Sequence, residues 1–297
     1  AVRGRSSLLS WRRKEDVMTQ TVQDRQAAGT HIAKWRDNGL TSCLVPTMGG
    51  IHDGHLALMD RARTVADRVI VSIYVNPTQF AASEDFDSYP RELGADLTRI
   101  GHRADIVYAP ANLYHPLHAT QVNPAGAALG LESEFRPHFF TGVATIVLKL
   151  LNQLPTDFAI FGQKDFQQLV VVRQLVRDLD VPVEILDHPT VRGADGLALS
   201  SRNIHLSADH RAIAPQLFAT LCTTAQKLQT GTRPESAVAD ASDLLRRSGF
   251  TSVDYLQLCN PEDLQPTEII TTNARLLAAV HLGAVRLIDN IALGDVT

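Results

Sequence analysis

His52 and His55 stand three residues apart in Pro46-Thr47-Met48-Gly49-Gly50-Ile51-His52-Asp53-Gly54-His55. Two imidazoles at that spacing on a first helical turn reach one side, where each can donate to an oxygen that gains negative charge during attack at phosphorus. The flanking sequence supplies the turn. Cys43-Leu44-Val45 reads as a short buried strand, and Leu56, Leu58, Met59, Ala62 and Ala66 mark the apolar stripe of a helix. The histidines therefore fall at a helix N-terminus, whose unpaired N–H groups and positive dipole end favour polyphosphate. Gly49, Gly50 and Gly54 remove side chains that would hold a nucleotide away from the backbone. Taken alone, H-x-x-H also describes a solvated pair or half of a metal site.

Three further polar groups follow strands. The β-branched run from Arg68 to Val75 ends in Asn76-Pro77-Thr78-Gln79-Phe80, and in an open α/β sheet such a loop faces the same crevice as its neighbour. Asn76 can equally cap a turn and Gln79 can equally be solvated. Asp157-Phe158-Ala159-Ile160-Phe161 reads as a strand opening through Gly162-Gln163-Lys164-Asp165 into a helix that runs to Leu179. Lys164 is placed to neutralise phosphate, and Asp165 either caps the helix or reaches Mg²⁺. Gln167 and Gln168 lie on its first turn, so at least one faces the crevice. Beyond a strand at Val183–Leu186, Ser200-Ser201-Arg202 sets two hydroxyls before a bidentate cation, an oxyanion cluster or an ordinary turn. The acidic stretch from Ser83 to Pro90 is a solvated loop or a cation site.

The elements that must position these groups alternate strand and helix up to about His188. Helices are expected over 22–38, stopping at Gly39 with Trp35 in the core, then through Leu93, Leu97 and Ile100, and from Phe139 to Leu154; Asp105–Ala109 is a further strand. Ser207 caps a long amphipathic helix, two helical segments precede a half-exposed strand at Val253–Leu258, and strands at Arg275–Val280 and Val285–Ile291 are hinged at Gly283. The fold class is α/β: a Rossmann-like parallel sheet over 19–188 and a smaller α+β domain over 189–297. Residues 1–18 carry Arg3, Arg5, Arg12, Arg13 and Lys14 among serines and read as an appended arm with no fold of its own, Met18 being a natural start.

Composition narrows the partners. The 297 residues are 44% hydrophobic with a formal net charge of −4, and acids and bases are interspersed, so nothing marks a nucleic-acid surface. No apolar run is long enough to span a membrane, and the N-terminus lacks a signal-peptide core. Cys43, Cys222 and Cys259 are odd in number and widely spaced, which suits buried thiols in a reducing, cytoplasmic setting.

H-x-G-H at a strand-to-helix turn resembles the signature of the nucleotidylyltransferase superfamily. Five blocks narrow the resemblance to the pantothenate synthetase family: PTMGGIHDGH at 46–55, VNPTQF at 75–80, EDFDSYPRE at 84–92, FGQKDFQQL at 161–169 and PTVRGADGLALSSRN at 189–203. YLQLCNPEDL and RLIDNIAL extend it through the tail. The resemblance implies an ATP-dependent ligase that joins pantoate to β-alanine, with Mg²⁺ beside ATP, and a homodimer. Pro46, Thr47 and Met48 to His55 would line the ATP site with Gly162, Gln163, Lys164, Asp165, Val191, Leu199, Ser200, Ser201 and Arg202. His52 and His55 would meet the phosphates, His55 as proton donor, and Asp165 would meet the metal. Gln79 and Gln168 would hold pantoate, with Asn76, Tyr89 and Arg136 beside them.

The implied chemistry needs no protein nucleophile. Pantoate carboxylate attacks the α-phosphorus, pyrophosphate leaves, and the amine of β-alanine attacks the acyl-adenylate, with His52, His55, Lys164 and Arg202 around the developing charge. A cytidylyltransferase-type enzyme and a catalytically silent nucleotide-binding protein are the alternatives. Two positions depart from the family pattern. Gln163 stands where glutamate is usual, and in Arg136-Pro137-His138-Phe139-Phe140-Thr141-Gly142-Val143 the usual histidine is Phe139. Consecutive helical side chains point about 100° apart, so Phe139 is expected beside the crevice and His138 in solvent.

Overall fold

The computed structural model describes residues 19–81, 84 and 86–296. The arm at 1–18, and Ser83 and Asp85 of the acidic stretch, lie outside the described residues. The chain opens with β1 (Gln20–Val22), α1 (Arg25–Asp37), β2 (Ser42–Thr47), α2 (Asp53–Val65), β3 (Arg68–Ile73), α3 (Leu93–Ile100) and β4 (Ile106–Tyr108). It continues through α4 (Glu132–Phe135), α5 (Phe139–Gln153), β5 (Phe158–Gly162), α6 (Phe166–Asp178) and β6 (Glu184–His188). These strands form one parallel sheet in the order β1-β4-β3-β2-β5-β6. The order reverses between β2 and β5, and at such a switch point the loops beyond both carboxyl ends diverge and leave a crevice. The histidine turn follows β2 and the Lys164 turn follows β5.

Both sheet faces are covered, which is why β2 and β3 read as nearly unbroken apolar runs. Cys43, Val45, Val69 and Val71 turn towards the cluster that holds Met59 and Ala62 of α2. The alternate residues Leu44 and Ile70 turn towards Ala28 and Ile32 of α1, Val143 and Val147 of α5 and Leu169 of α6. Trp35 packs against this second cluster half-buried, at its edge. Helix α1 ends at Gly39 (φ 69°), where Gly39 N donates to Arg36 O and Leu40 N to Trp35 O, the paired bonds of a left-handed C-terminal cap. Val22, expected in that helix, instead pairs with Tyr108 in β1. A three-residue edge strand has too little sequence to show a period.

The remaining elements are α7 (Ala208–Ile213), α8 (Gln216–Gln229), α9 (Pro234–Arg247), β7 (Ser252–Cys259), β8 (Arg275–Leu282) and β9 (Val285–Ala292). The single long helix expected beyond Ser207 is divided at Pro215, whose ring leaves no N–H for the helical ladder. Ser207 caps only the short α7, through His210 N at 3.2 Å. Strands β7, β8 and β9 form an antiparallel sheet, with α8 and α9 contributing to its core. Leu277 and Cys259 of this sheet join the core of the parallel sheet, so the two layers share apolar contact. Among the described residues no helix is long and apolar enough to cross a membrane. The cysteines are free; Cys222 is half-buried, while burial pushes the thiols of Cys43 and Cys259 up to about 12.

Candidate active site

The loops beyond β2, β3, β5 and β6 and the cavity-facing side of the antiparallel sheet enclose a cavity of about 870 Å³. Its entry from β2 is a glycine turn. Gly49 and Gly50 have φ of 85° and 60°, a region open to residues without Cβ. Asp96 of α3 fixes the turn by accepting from Gly50 N at 3.1 Å and Ile51 N at 2.8 Å. A Cβ on Gly49 would stand 2.8 Å from the Asp96 carboxylate. Asp96 is buried and escaped the sequence reading, because nothing in α3 marks a carboxylate that serves a turn 46 residues away.

His52 ends this turn as the N-cap of α2, and Gly54 N donates to its Nδ1 at 3.1 Å. His55 reaches back, its Nδ1 accepting from His52 N at 3.3 Å. The arrangement is a capping box built from two imidazoles. Because each Nδ1 accepts, each ring carries its proton on Nε2. The rings lie 4.0 Å apart, centre to centre. Burial lowers the His52 pKa to about 4, helped by the nearby Lys164 charge. Burial lowers that of His55 to about 3, with His52 and Lys164 adding to the effect. Both shifts favour the neutral rings in the ligand-free chain, where each can donate a hydrogen bond from Nε2–H. Gly54 admits the His52 ring, since a Cβ there would come within 2.8 Å of it.

Lys164 and Asp165 line the cavity from the turn after β5, with Nζ and Oδ1 3.7 Å apart. Asp165 makes no side-chain cap bond, so its carboxylate does not act as a plain N-cap. Asn290 of β9 donates to both Gln163 O and Lys164 O at 2.9 Å, tying this turn to the second sheet. Leu199 N donates to Val191 O at 2.9 Å, which folds the 191–199 loop so that both residues line the cavity. Ser200 Oγ accepts from Arg202 N, Ser201 Oγ lies 3.3 Å from Tyr89 OH, and Arg202 and Tyr89 line the same wall.

Gln79, Gln168 and Arg136 line the same cavity, Gln79 donating through Nε2 to Met48 Sδ at 3.0 Å. Asn76 is buried there with its polar ends committed: Nδ2 donates to Gln79 Oε1 and Gly142 O, and Oδ1 accepts from Thr78 and Tyr114. Its work is to hold the Gln79 loop, and its polar atoms are not presented to a ligand. Gln167 is likewise structural, accepting from Glu132 N and donating to Ala127 O. Arg136 holds Glu84 through Nε and Nη2 at 2.6 and 2.7 Å. Glu132 accepts from Arg286 at 2.7 and 2.8 Å and from Tyr255 at 2.7 Å, and lies 3.6 Å from Arg136. Burial opposes the Glu132 charge, but these partners outweigh it and hold the carboxyl below its ordinary range.

Several expected site residues stand elsewhere. Asp53 turns outward to an exposed ion pair with Arg99 at 2.6 Å. Ile51 is buried in the apolar core, while Gly49 and Gly50 shape the turn behind the cavity wall. Gln163 points away from the cavity, donating to Asp187 and accepting from Arg275 at 3.3 Å. Pro46, Thr47, Met48 and Gly54 do line it. Phe139 lines the cavity and His138 is exposed, as the helical spacing requires.

A family model for pantoate–β-alanine ligase matches residues 20–292. The chain belongs to the pantoate–β-alanine ligase family. Members of this family are ligases that form pantothenate from pantoate and β-alanine, and the enzyme described here is one of them. The pantothenate synthetase of Mesorhizobium japonicum is 46% identical over 275 residues, covering 92% of this chain and 97% of that one. That of Chelativorans sp. is 47% identical over 281 residues, covering 93% and 97%. Among solved structures, the Thermus thermophilus pantothenate synthetase has a TM-score of 0.83 at 39% identity, covering 93% of this chain and 99% of that one. The Francisella tularensis pantoate–β-alanine ligase, solved with β-γ ATP and β-alanine, has a TM-score of 0.78 at 29% identity, covering 93% and 98%.

Proposed function

We propose that this ligase activates pantoate with ATP as a pantoyl-adenylate and passes the acyl group to β-alanine, releasing AMP and pyrophosphate. One observation carries the reading: two neutral imidazoles, Lys164 and Arg202 share a single cavity with Gln79, Gln168 and Arg136. The first set meets phosphate, and the second suits a small hydroxylated carboxylate. Pantoate oxygen forms its bond to the α-phosphorus as the bond to pyrophosphate breaks and pyrophosphate leaves with the electron pair. The β-alanine nitrogen then bonds to the acyl carbon, AMP leaves, and the amine gives up a proton. His52 and His55 donate from Nε2–H to phosphate oxygens, and Lys164 and Arg202 offset the growing charge. Each well-placed donor lowers such a barrier by about 3 kcal/mol.

Among the described residues no cluster of three or more His, Cys, Asp or Glu could hold a metal. Mg²⁺ that takes most of its ligands from phosphates needs only one or two carboxylates, and Asp165, half-exposed on the cavity wall, fits that part. When bound, the ion neutralises phosphate charge. The division near His188, where β6 ends, separates a nucleotide- and pantoate-binding unit from a tail that closes over the ATP site. A homodimer in the cytoplasm completes the reading; sedimentation of the purified chain tests the first part.

The deciding experiment supplies ATP, pantoate and β-alanine and follows AMP and pyrophosphate. Both are expected only when pantoate is present. Pyrophosphate release without pantoate, or a product that retains the nucleotidyl group, overturns the reading. His55→Ala is expected to abolish pantoate-dependent pyrophosphate release while the far-UV spectrum is retained.

A further inference from the structure

The Arg136 guanidinium is held along its rim by acceptors: the Glu84 carboxylate grips Nε and Nη2, Gln79 O accepts from Nη2 at 3.2 Å, and Glu132 stands 3.6 Å from Nη1. Such contacts anchor the group along its edge. A ring backs its face. The Arg136 Cζ lies 3.8 Å from the centre of the Phe139 ring. The backbone brings the two together, since Phe139 N donates to Arg136 O at 3.0 Å and closes a turn that sets the side chains three residues apart at the start of α5. Phe139 is half-buried and edge-on to Phe140, so the stack is backed by the core.

We propose that Phe139 is the positioning residue for Arg136, holding the guanidinium flat and cavity-facing so that Nη1, whose nearest acceptor is Glu132 at 3.6 Å, can take the carboxylate of the acid substrate. This rests on the reading that Arg136 meets pantoate. A planar cation over an aromatic face is attracted by the ring's negative quadrupole, more strongly when the pair is shielded from water. Histidine at this position has a smaller ring, and in its protonated form it would repel the arginine. The phenyl ring therefore supplies constant support whatever the pH, and His138, exposed at the N-cap of α5, takes no part.

The test compares Phe139→Leu, which keeps bulk without a π face, with Phe139→Tyr, which keeps the face. In the full chain, Leu is expected to raise the pantoate KM about fivefold or more, leaving kcat and the ATP KM within about twofold, while Tyr stays within about twofold of the parent in all three. The proposal is overturned if Leu leaves the pantoate KM unchanged, if both substrates lose equally, or if Tyr falls as far as Leu. A thermal-unfolding cycle with Phe139→Leu, Arg136→Gln and the double variant reads the stack without substrate. Measurable coupling is expected, and strictly additive effects overturn the stacking. Should the parent chain fail to turn over pantoate while the cycle shows coupling, the functional reading fails and the stack stands.

Discussion

His52 donates its backbone N–H to His55 Nδ1 at 3.3 Å while the two rings lie 4.0 Å apart, so the same pair that faces the cavity also closes the first turn of α2. Protonating either ring would break a cap and place a charge beside Lys164. The direction of the pKa shifts sets the pH behaviour. Both histidines are lowered from the ordinary 6.5, to about 4 and about 3, so the folded chain resists a proton that the unfolded chain accepts. Their neutrality supports the fold fully above pH about 6.5, and that support is lost as pH falls towards 4 and below. Imidazole ¹⁵N spectra of the ligand-free protein should show both rings as Nε2–H tautomers throughout pH 5.5 to 8. An imidazolium signal from either at pH 7 would refute the account.

Gly142 sits within α5, where alanine would favour the helix by about 1 kcal/mol. A Cβ there would nevertheless meet Thr78 O at 2.5 Å and Gln79 Cα at 2.8 Å. Those are backbone atoms and cannot swing aside. Gly142→Ala should push the Gln79 loop off α5, breaking the bond from Asn76 to Gly142 O. The expected outcome is a pantoate KM raised about tenfold or more, with a smaller change for ATP, and a stability loss of about 1–3 kcal/mol. Steady-state kinetics and urea unfolding check both parts; unchanged values would mean that the helix has room to shift.

The parallel sheet was legible because β2, β3 and β5 are continuous apolar runs that end in polar loops, a local signal. Among the residues that directly line the cavity, His52, His55 and Lys164 could be picked out because each belongs to a turn that leads from a strand into a helix, and Arg202 because two hydroxyls precede it. The supports could not be. Asp96 serves the glycine turn, Arg286 and Tyr255 serve Glu132, and Asn290 serves Lys164 across 46, 154, 123 and 126 residues. A buried charge reveals its purpose only through its partner, and sequence spacing holds no trace of a partner in another sheet. β1 was hidden by shortness, and the outward turn of Asp53 by a pair with Arg99 that only the packing of α3 creates.

Gln163 and Asp187 offer a second separation of roles. Gln163 donates to Asp187, which Arg173 also holds, while Arg275 donates to Gln163 Oε1. An amide satisfies a carboxylate on one side and a guanidinium on the other; a carboxylate at 163 would face Asp187 with like charge. Gln163→Glu should cost about 1 kcal/mol after solvent screening, a fall of about 2–4 °C in the melting midpoint for a chain of this size. Adding Asp187→Asn should restore most of it. A double variant less stable than Gln163→Glu alone would show that Arg173 and Arg275, and not the amide, set the local balance.

His138 is the remaining candidate to stand in for the histidine that Phe139 replaces. Its backbone is the N-cap of α5, but its side chain makes no cap bond, it is exposed, and it does not line the cavity. Adjacent residues at a helix start diverge by about 100°, so bringing the imidazole round would unwind the turn that seats Phe139 beneath Arg136. His138→Ala should therefore change turnover by less than about threefold, under roughly 0.7 kcal/mol of barrier, with the pantoate KM equally untouched. A hundredfold loss would require about 2.7 kcal/mol of transition-state contact. That could arise only if substrate binding rebuilt the start of α5 with His138 pointing inward, and the variant's pyrophosphate release rate distinguishes the two outcomes directly.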